Sequence, residues 1–404
     1  MPPKIRTLCF LPLILLFGYG LKRSFRAPAS DFAAYYYGGK EIVHGRWSNA
    51  YRLGPLNAAL TADGITGAFV SYAPFPPFTA LVFAPFLLFP MGIAKLVFDV
   101  FSAGVFLLTL WRCSKAFSIP PLLIVLTPVV FFIPILNNLV FGQAYLLLCS
   151  LLLEGWLAYR NERTGAAALF WGLAIVFKLT PAFLFLFLIL RRKWRQAALL
   201  AGVCGLLLGL SLLVTGVGVW KFYISEMIPK MGRGELNDPF TYYFQSAFML
   251  LKRVFLYDGL LNPHPVYYHP WLFVFSMAVF KALVLAPAIL LTVRGRDTFF
   301  SFGVWILASL LISPNGSSYS LIVLVTPLWA LVPYGRVKLL IAMGLLFAAG
   351  SLMLSSIFYW GFLSFCWCGW SVYGTGGWPA GLHWYSLCWI SGDIYRSTAR
   401  GNMS

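Results

Sequence analysis

Long apolar runs constrain this chain more than any other feature. "LCFLPLILLFGYGL" begins at Leu8, "ALLAGVCGLLLGLSLLVTGVGV" at Ala198, "WLFVFSMAVFKALVLAPAILLTV" at Trp271 and "LLIAMGLLFAAGSLMLSSIFYW" at Leu339. Each is long enough, or nearly so, to cross roughly 30 Å of hydrocarbon as a helix. Backbone in lipid must satisfy its own hydrogen bonds, so only helices and closed barrels can span, and no alternating strand pattern of a barrel is present. The expected fold is an all-α polytopic membrane protein, one membrane domain over residues 1–404. A composition of 60% hydrophobic and only 10% charged residues agrees with it.

Thirty Lys and Arg against twelve Asp and Glu give a formal charge of +18, which would suit a nucleic-acid partner if it were gathered on one surface. Instead the charges fall in short clusters between apolar runs, as the positive-inside rule and anionic lipid require, and no nucleic-acid partner is expected. With Lys4 and Arg6 cytoplasmic, a first helix over about 8–21 leads outward, and "WRCSK", "YRNER", "RRKWR", "VRGRD" and "YGRVK" fall inside, with Lys22 to Arg26 and Lys252-Arg253 as the exceptions. Further spans are expected at about 92–110, 119–138, 143–159 and 197–219, for a total of about eleven, between ten and thirteen. Two long segments are then external, 22–75 and 220–270, the second carrying Glu226, Glu235, Asp238, His264 and His269. "YAPFPPFTALVFAPFLLFP", punctuated by prolines, reads as a broken or re-entrant piece. The C-terminal 45 residues, rich in Trp and Gly, receive no span.

The N-terminal run has a basic head and an "APA" at 27–29 like a signal-peptidase site, but Lys22, Arg23 and Arg26 intervene, so an uncleaved signal-anchor is expected. Cys9, Cys149 and Cys204 lie in apolar runs, where thiols act as small hydrophobes. Cys366 and Cys368 have a spacing that strains a disulfide. His44, His264, His269 and His383 lack the spacing and acidic companions of a metal site, so neither metal nor cofactor is expected.

Few residues are left to carry chemistry. Asp31 opens "SDFAAYYYGGKEIVHG" just past the first span, where a carboxylate can be partly desolvated and still reach a lipid-borne substrate. Ser30 or Asp31 also suits the N-cap of the following helix, and the two roles are compatible. Lys178 in "VFKLTPAF" is costly in mid-run unless it snorkels to water or finds an anion, and two short helices meeting there would seat a lipid phosphate. Asn138 and Gln143 in "NNLVFGQ", and Ser313 and Asn315 in "SPNGSS", form polar turns that either bind sugar hydroxyls or cap helix ends. Tyr36, between Tyr35 and Tyr37, is either a substrate contact or an interfacial aromatic. Asp99 and Glu154 lie nearest membrane depth and would suit proton relays in a transporter, or else interfacial helix ends.

Five elements in order resemble glycosyltransferase family 87, the polyprenyl-phosphate-mannose-dependent mannosyltransferases: "SDFAAYYYGGKEIVHGRWSNAY", "YAPFPPFTALVFAPF", "NNLVFGQAYLLL", "GLAIVFKLTPAFLFLFLILRRKWR" and "LISPNGSSYSLIVLVTPL". The chain departs from the pattern at Tyr145, where the family often has Asn, and at Ser317, Ser318 and Tyr319, where it often has Trp and His. Its middle "NQS" element is only partly matched by Phe244, Gln245 and Ser246. The resemblance implies a GT-C-type helix bundle whose first external loop supplies a catalytic carboxylate. By position that residue is Asp31, the general base. The implied donor is a polyprenyl-phosphate sugar, mannose in the family, with a glycan or glycolipid acceptor and the active site on the extracytoplasmic side of the cell membrane. Lys178 would meet the donor phosphate, with Asn138, Gln143, Tyr36, Ser313 and Asn315 as substrate contacts. Two other readings stand beside it, a lipid-linked-sugar flippase or other transporter and a non-catalytic assembly subunit; the paired, interrupted halves common in transporters are not visible.

Overall fold

A computed structural model describes residues 3–27, 31–65, 69–236, 240, 246–295 and 298–332. The run at 339–360, the "YGRVK" cluster, Cys366, Cys368, His383, Ser30, Asp238, Phe244 and Gln245 lie outside these residues. Among the described residues the structure is helical, with no strand and only an isolated bridge between Asp258 and Asn262.

After a short helical piece over Pro3–Leu8, α1 runs Leu11–Arg26, with Pro12 in the first turn, where a missing N–H costs nothing. It ends at Ala27, whose extended backbone is what a residue before Pro28 adopts. α2, Asp31–Val43, is buried over Phe32–Gly39 and again at Glu41 and Ile42; a helix covered all round is an internal element. The proline-rich piece forms α3, Phe78–Phe83, and a 3-10 turn, Ala84–Leu88. α4, Met91–Ala116, follows.

The run expected at 119–138 is not straight. It divides into α5, Pro121–Val130, and α6, Phe132–Phe141, bent by 55°. The break falls three residues before Pro134, whose ring cannot donate to Val130 and crowds its carbonyl. α7 is Tyr145–Arg160 and α8 Thr164–Phe177; Lys178 is extended, a 3-10 turn spans Thr180–Ala182, and α9 is Phe183–Leu190. Two short helices therefore meet at Lys178. α10, Trp194–Thr215, leads into a winding stretch that includes a π turn, Tyr223–Met227. α11, Ala247–Phe255, is capped by the Ser246 hydroxyl, and α12, Pro270–Arg294, and α13, Thr298–Ile312, precede a 3-10 segment, Ser318–Leu324.

Among the described residues four helices are long and apolar enough to cross a membrane, or up to five with the bent pair α5–α6 taken as one span. α8, α9 and α13 are apolar but shorter. Exposed Leu206, Leu210, Leu213 and Val214 on α10, and Val274, Phe275, Leu283 and Val293 on α12, form the apolar exterior of a membrane protein.

Two large buried clusters hold most of these elements, and a small third, Phe248, Met249 and Met277, packs α11 on α12. Of the large ones, one joins α1 and α4–α9 to α13, with Trp156 stacked on Phe302 at 4.7 Å. The other packs α2, α3 and the 47–83 region against Phe177, Val219, Trp220, Tyr223 and Met227, so that the two long segments form one unit. Three of the basic clusters meet at one end of the bundle: Arg6 donates to the Ser114 carbonyl at 2.9 Å and Arg160 to the Ala116 carbonyl at 2.6 Å, while Arg23 and Arg26 lie in the last turn of α1. α1 leads away from that end over roughly 24 Å, and Asp31 follows its far terminus.

Candidate active site

Successive residues of a helix point about 100° apart, so the three tyrosines of α2 go three ways. Tyr36 donates to the Phe89 carbonyl and Tyr37 to Asp63, each at 2.9 Å. Tyr35, one turn beyond Asp31 on the same face, donates to Gln143 Oε1 at 2.9 Å. The Gln143 amide then donates to Asp31 Oδ2 at 2.6 Å. Tyr35 is itself held flat on Phe83, ring centroids 4.3 Å apart and 7° between planes.

Gln143 is delivered by the end of α6. Gly142 is left-handed (φ 65°, ψ 41°), its N–H bonded to the Leu139 carbonyl and the Gln143 N–H to the Asn138 carbonyl, the paired bonds of a Schellman stop. Glycine is needed twice over, because a Cβ there would also lie 2.5 Å from the Phe32 Cβ. α2 thus sits directly on the turn that aims Gln143 at its first residue.

Asn138 is fully buried. Its Nδ2 donates to the Pro134 and Tyr319 carbonyls, each at 2.8 Å, and its Oδ1 accepts from the Tyr145 N–H at 3.2 Å. Asn137 donates to the Ser318 hydroxyl at 2.7 Å. The two carboxamides tie the 3-10 segment to the start of α7, leaving Tyr145 and Tyr319 with ring centroids 5.4 Å apart.

Lys178 enters from the other side. Its ammonium lies 3.8 Å from the Tyr145 ring centroid and 5.3 Å from that of Phe75, and it makes no hydrogen bond or ion pair among the described residues. Thr79 holds the end of α8 through the Phe177 carbonyl at 3.2 Å. Burial raises the Asp31 pKa above the ordinary aspartate value, opposed by the Gln143 hydrogen bond and the Lys178 charge.

Asp31, Gln143 and Lys178 are therefore brought together, and Asn138 stands behind them as a clamp. Tyr36 points elsewhere, and Tyr35 takes the place beside Gln143. Ser313 caps its own helix through a backbone bond to Leu310, and Ser246 donates to the Pro314 carbonyl at 2.7 Å. Ser313 and Asn315 share no hydrogen bond with Asp31, Gln143 or Lys178 among the described residues. The sequence passed over Phe75 and Lys95, and marked Tyr145 and Tyr319 only as departures from a pattern. Lys95 and Asp99, four residues apart in an apolar run, are the signal that would have found the ion pair of α4. Glu154 is instead paired with Arg112 at 3.2 Å at the basic end.

The model of glycosyltransferase family 87 matches residues 73–314. No curated protein and no solved structure matches the chain. The matched span carries Asn138, Gln143, Lys178 and Ser313, while Asp31 precedes it and Asn315 follows it. With more than half its length matched, this chain belongs to glycosyltransferase family 87 and is a glycosyltransferase of the membrane.

Proposed function

We propose that the chain transfers mannose from a polyprenyl-phosphate donor to an acceptor hydroxyl of a glycan or glycolipid, with inversion, at the extracytoplasmic face of the plasma membrane. The observation that carries this reading is the pairing, in one site, of a carboxylate aimed by Gln143 with an uncommitted lysine ammonium. Asp31 Oδ2 is occupied by Gln143, and Oδ1 accepts no hydrogen bond among the described residues. Oδ1 takes the proton of the acceptor hydroxyl as its oxygen attacks the anomeric carbon. The bond to the donor phosphate oxygen breaks as that attack proceeds, and one displacement inverts the centre. The departing phosphate is a good leaving group, so Lys178 acts as its counter-charge and no strong general acid is needed.

The sidedness rests on the meeting of Arg6, the 111–116 cluster and Arg160 at the end of the bundle opposite Asp31, to which Lys22, Arg23 and Arg26 are the exception. On that reading the segments 22–75 and 220–270 are external, and the shorter apolar helices with the later apolar run complete a GT-C-type bundle of about eleven spans.

The purified chain, reconstituted with radiolabelled polyprenyl-phosphate-mannose and a lipid and glycan extract as acceptor, should form a new glycosidic product and release polyprenyl phosphate. Relocation of the labelled lipid without a new glycosidic bond, or transfer from a nucleotide sugar alone, would overturn the reading.

A further inference from the structure

A buried ion cluster stands against the Gly142 turn. Lys95 and Asp99, one turn apart on α4, approach to 3.7 Å, with both side chains almost completely buried. Ser24 of α1 lies between them: its hydroxyl donates to Asp99 Oδ2 and accepts from Lys95, and its carbonyl accepts from Lys95 at 3.2 Å. Holding α1 to α4 would need no more than this. Lys95 has a further contact, on α6, where it donates to the Leu139 carbonyl at 3.3 Å.

That carbonyl is the one that accepts the Gly142 N–H and closes the turn before Gln143. The Lys95 Cε is also 3.2 Å from where a Gly142 Cβ would be, beside the Phe32 contact. The turn is therefore packed against both Phe32 of α2 and Lys95 of α4. Asp99 and Ser24 orient the ammonium, Lys95 braces the turn, the turn aims Gln143, and Gln143 holds Asp31.

We infer that Lys95, set by Asp99 and Ser24, is a positioning residue for the glycosyl-transfer site, acting on Asp31 through the Gly142–Gln143 turn. The inference rests on the reading of Asp31 as the base. Groups facing Asp31 are Lys178 beyond α8, Gln143 from the turn, Tyr319 from the 3-10 segment, and Tyr35 on its own helix; Tyr145 of α7 faces Tyr35 and Tyr319. Lys95 faces the turn, so its effect on the carboxylate passes through the Gln143 amide.

The test replaces both charges by similar apolar volume, Lys95→Leu with Asp99→Leu, since a buried pair removed together leaves no orphan charge. Transfer from polyprenyl-phosphate-mannose is then followed against pH. We expect folded protein, a donor KM close to the parent's and kcat down roughly 10–100-fold, as for lost outer-shell support. The acid limb should move up by about one pH unit, because the amide no longer favours the charged carboxylate. Combined with Gln143→Leu, the losses should fail to add, since both act at one bond. Lys95→Arg, which can still reach the Leu139 carbonyl, should recover most of kcat.

An unmoved acid limb, or effects that add to those of Gln143→Leu, while Asp31→Asn is inactive, overturns the positioning inference and leaves the base in place. Full activity of Asp31→Asn overturns the base, and the positioning inference with it. Should the double variant not fold, Ser24→Ala carries the same test: it keeps both charges, and the acid limb should move in the same direction by a smaller step.

Discussion

The Tyr35 hydroxyl donates to Gln143 Oε1 at 2.9 Å, and that bond decides which end of the Gln143 carboxamide meets Asp31. A carboxamide presents either an acceptor or a donor, and only the donor end supports a carboxylate. Tyr35→Phe should therefore lower kcat by about 2–10-fold, the worth of one buried hydrogen bond, with little change in donor KM. Gln143→Leu should cost more and raise the acid limb of the pH profile. Steady-state kinetics across pH separate the two.

Lys178 lies against aromatic rings and feels the Asp31 charge, yet it makes no ion pair or hydrogen bond among the described residues, so its ammonium can turn to a ligand anion. Lys178→Met should lower transfer by roughly 10²–10³-fold, the cost of one lost charge-stabilising group at a developing anion, and weaken donor binding. Lys178→Arg should restore only part of it, because a guanidinium spreads its charge over a longer, planar fork instead of placing a compact ammonium 3.8 Å from the Tyr145 ring centroid. Donor titrations with both variants check this.

Gly142→Ala should lose stability as well as activity. The left-handed backbone alone costs a non-glycine residue about 1–2 kcal/mol, and the approach of Phe32 forces α2 away from the turn. Thermal unfolding in detergent should show a lowered midpoint, with activity lost at temperatures where the protein is still folded.

Glu41 supplies a pH signature away from the chemistry. Arg46 donates to both its oxygens, at 2.9 and 2.7 Å, and Asn49 to one at 2.9 Å, holding its carboxyl below the usual glutamate pKa. A depressed pKa stabilises the fold above the unfolded-state value, and that contribution is lost as pH falls through the folded one. Glu41→Gln should therefore unfold at a lower temperature than the parent at neutral pH, and the difference should shrink on acidification through that window.

The membrane class was legible because lipid leaves the backbone so few options, and the break at Lys178 because a charge and Pro181 interrupt one apolar run. The bend between α5 and α6 was missed because Pro134 sits inside an otherwise continuous run, where hydropathy outweighs local geometry. Asp31, Gln143 and Lys178 were named from residue type and order, yet nothing local said that Gln143 would reach Asp31 across 112 positions. The choice of Tyr35 over Tyr36 depends on helix phase, which a row of three tyrosines does not reveal. Asn138 read as a sugar contact because a carboxamide at a turn serves a ligand or a clamp equally well; the tertiary fold commits it to Pro134, Tyr145 and Tyr319.

Transfer of labelled mannose from polyprenyl phosphate by Asp31→Asn, set against the parent over a range of pH, tests the central claim most directly. The variant keeps the shape of the side chain, so the protein should fold and bind donor. Transfer should fall by at least about 10²–10⁴-fold, the usual worth of a general base. The parent's activity should rise with pH through a midpoint above the ordinary aspartate range, because the base works only when ionised and burial holds its pKa up. Parental rates in Asp31→Asn, with the same pH profile, would contradict the account.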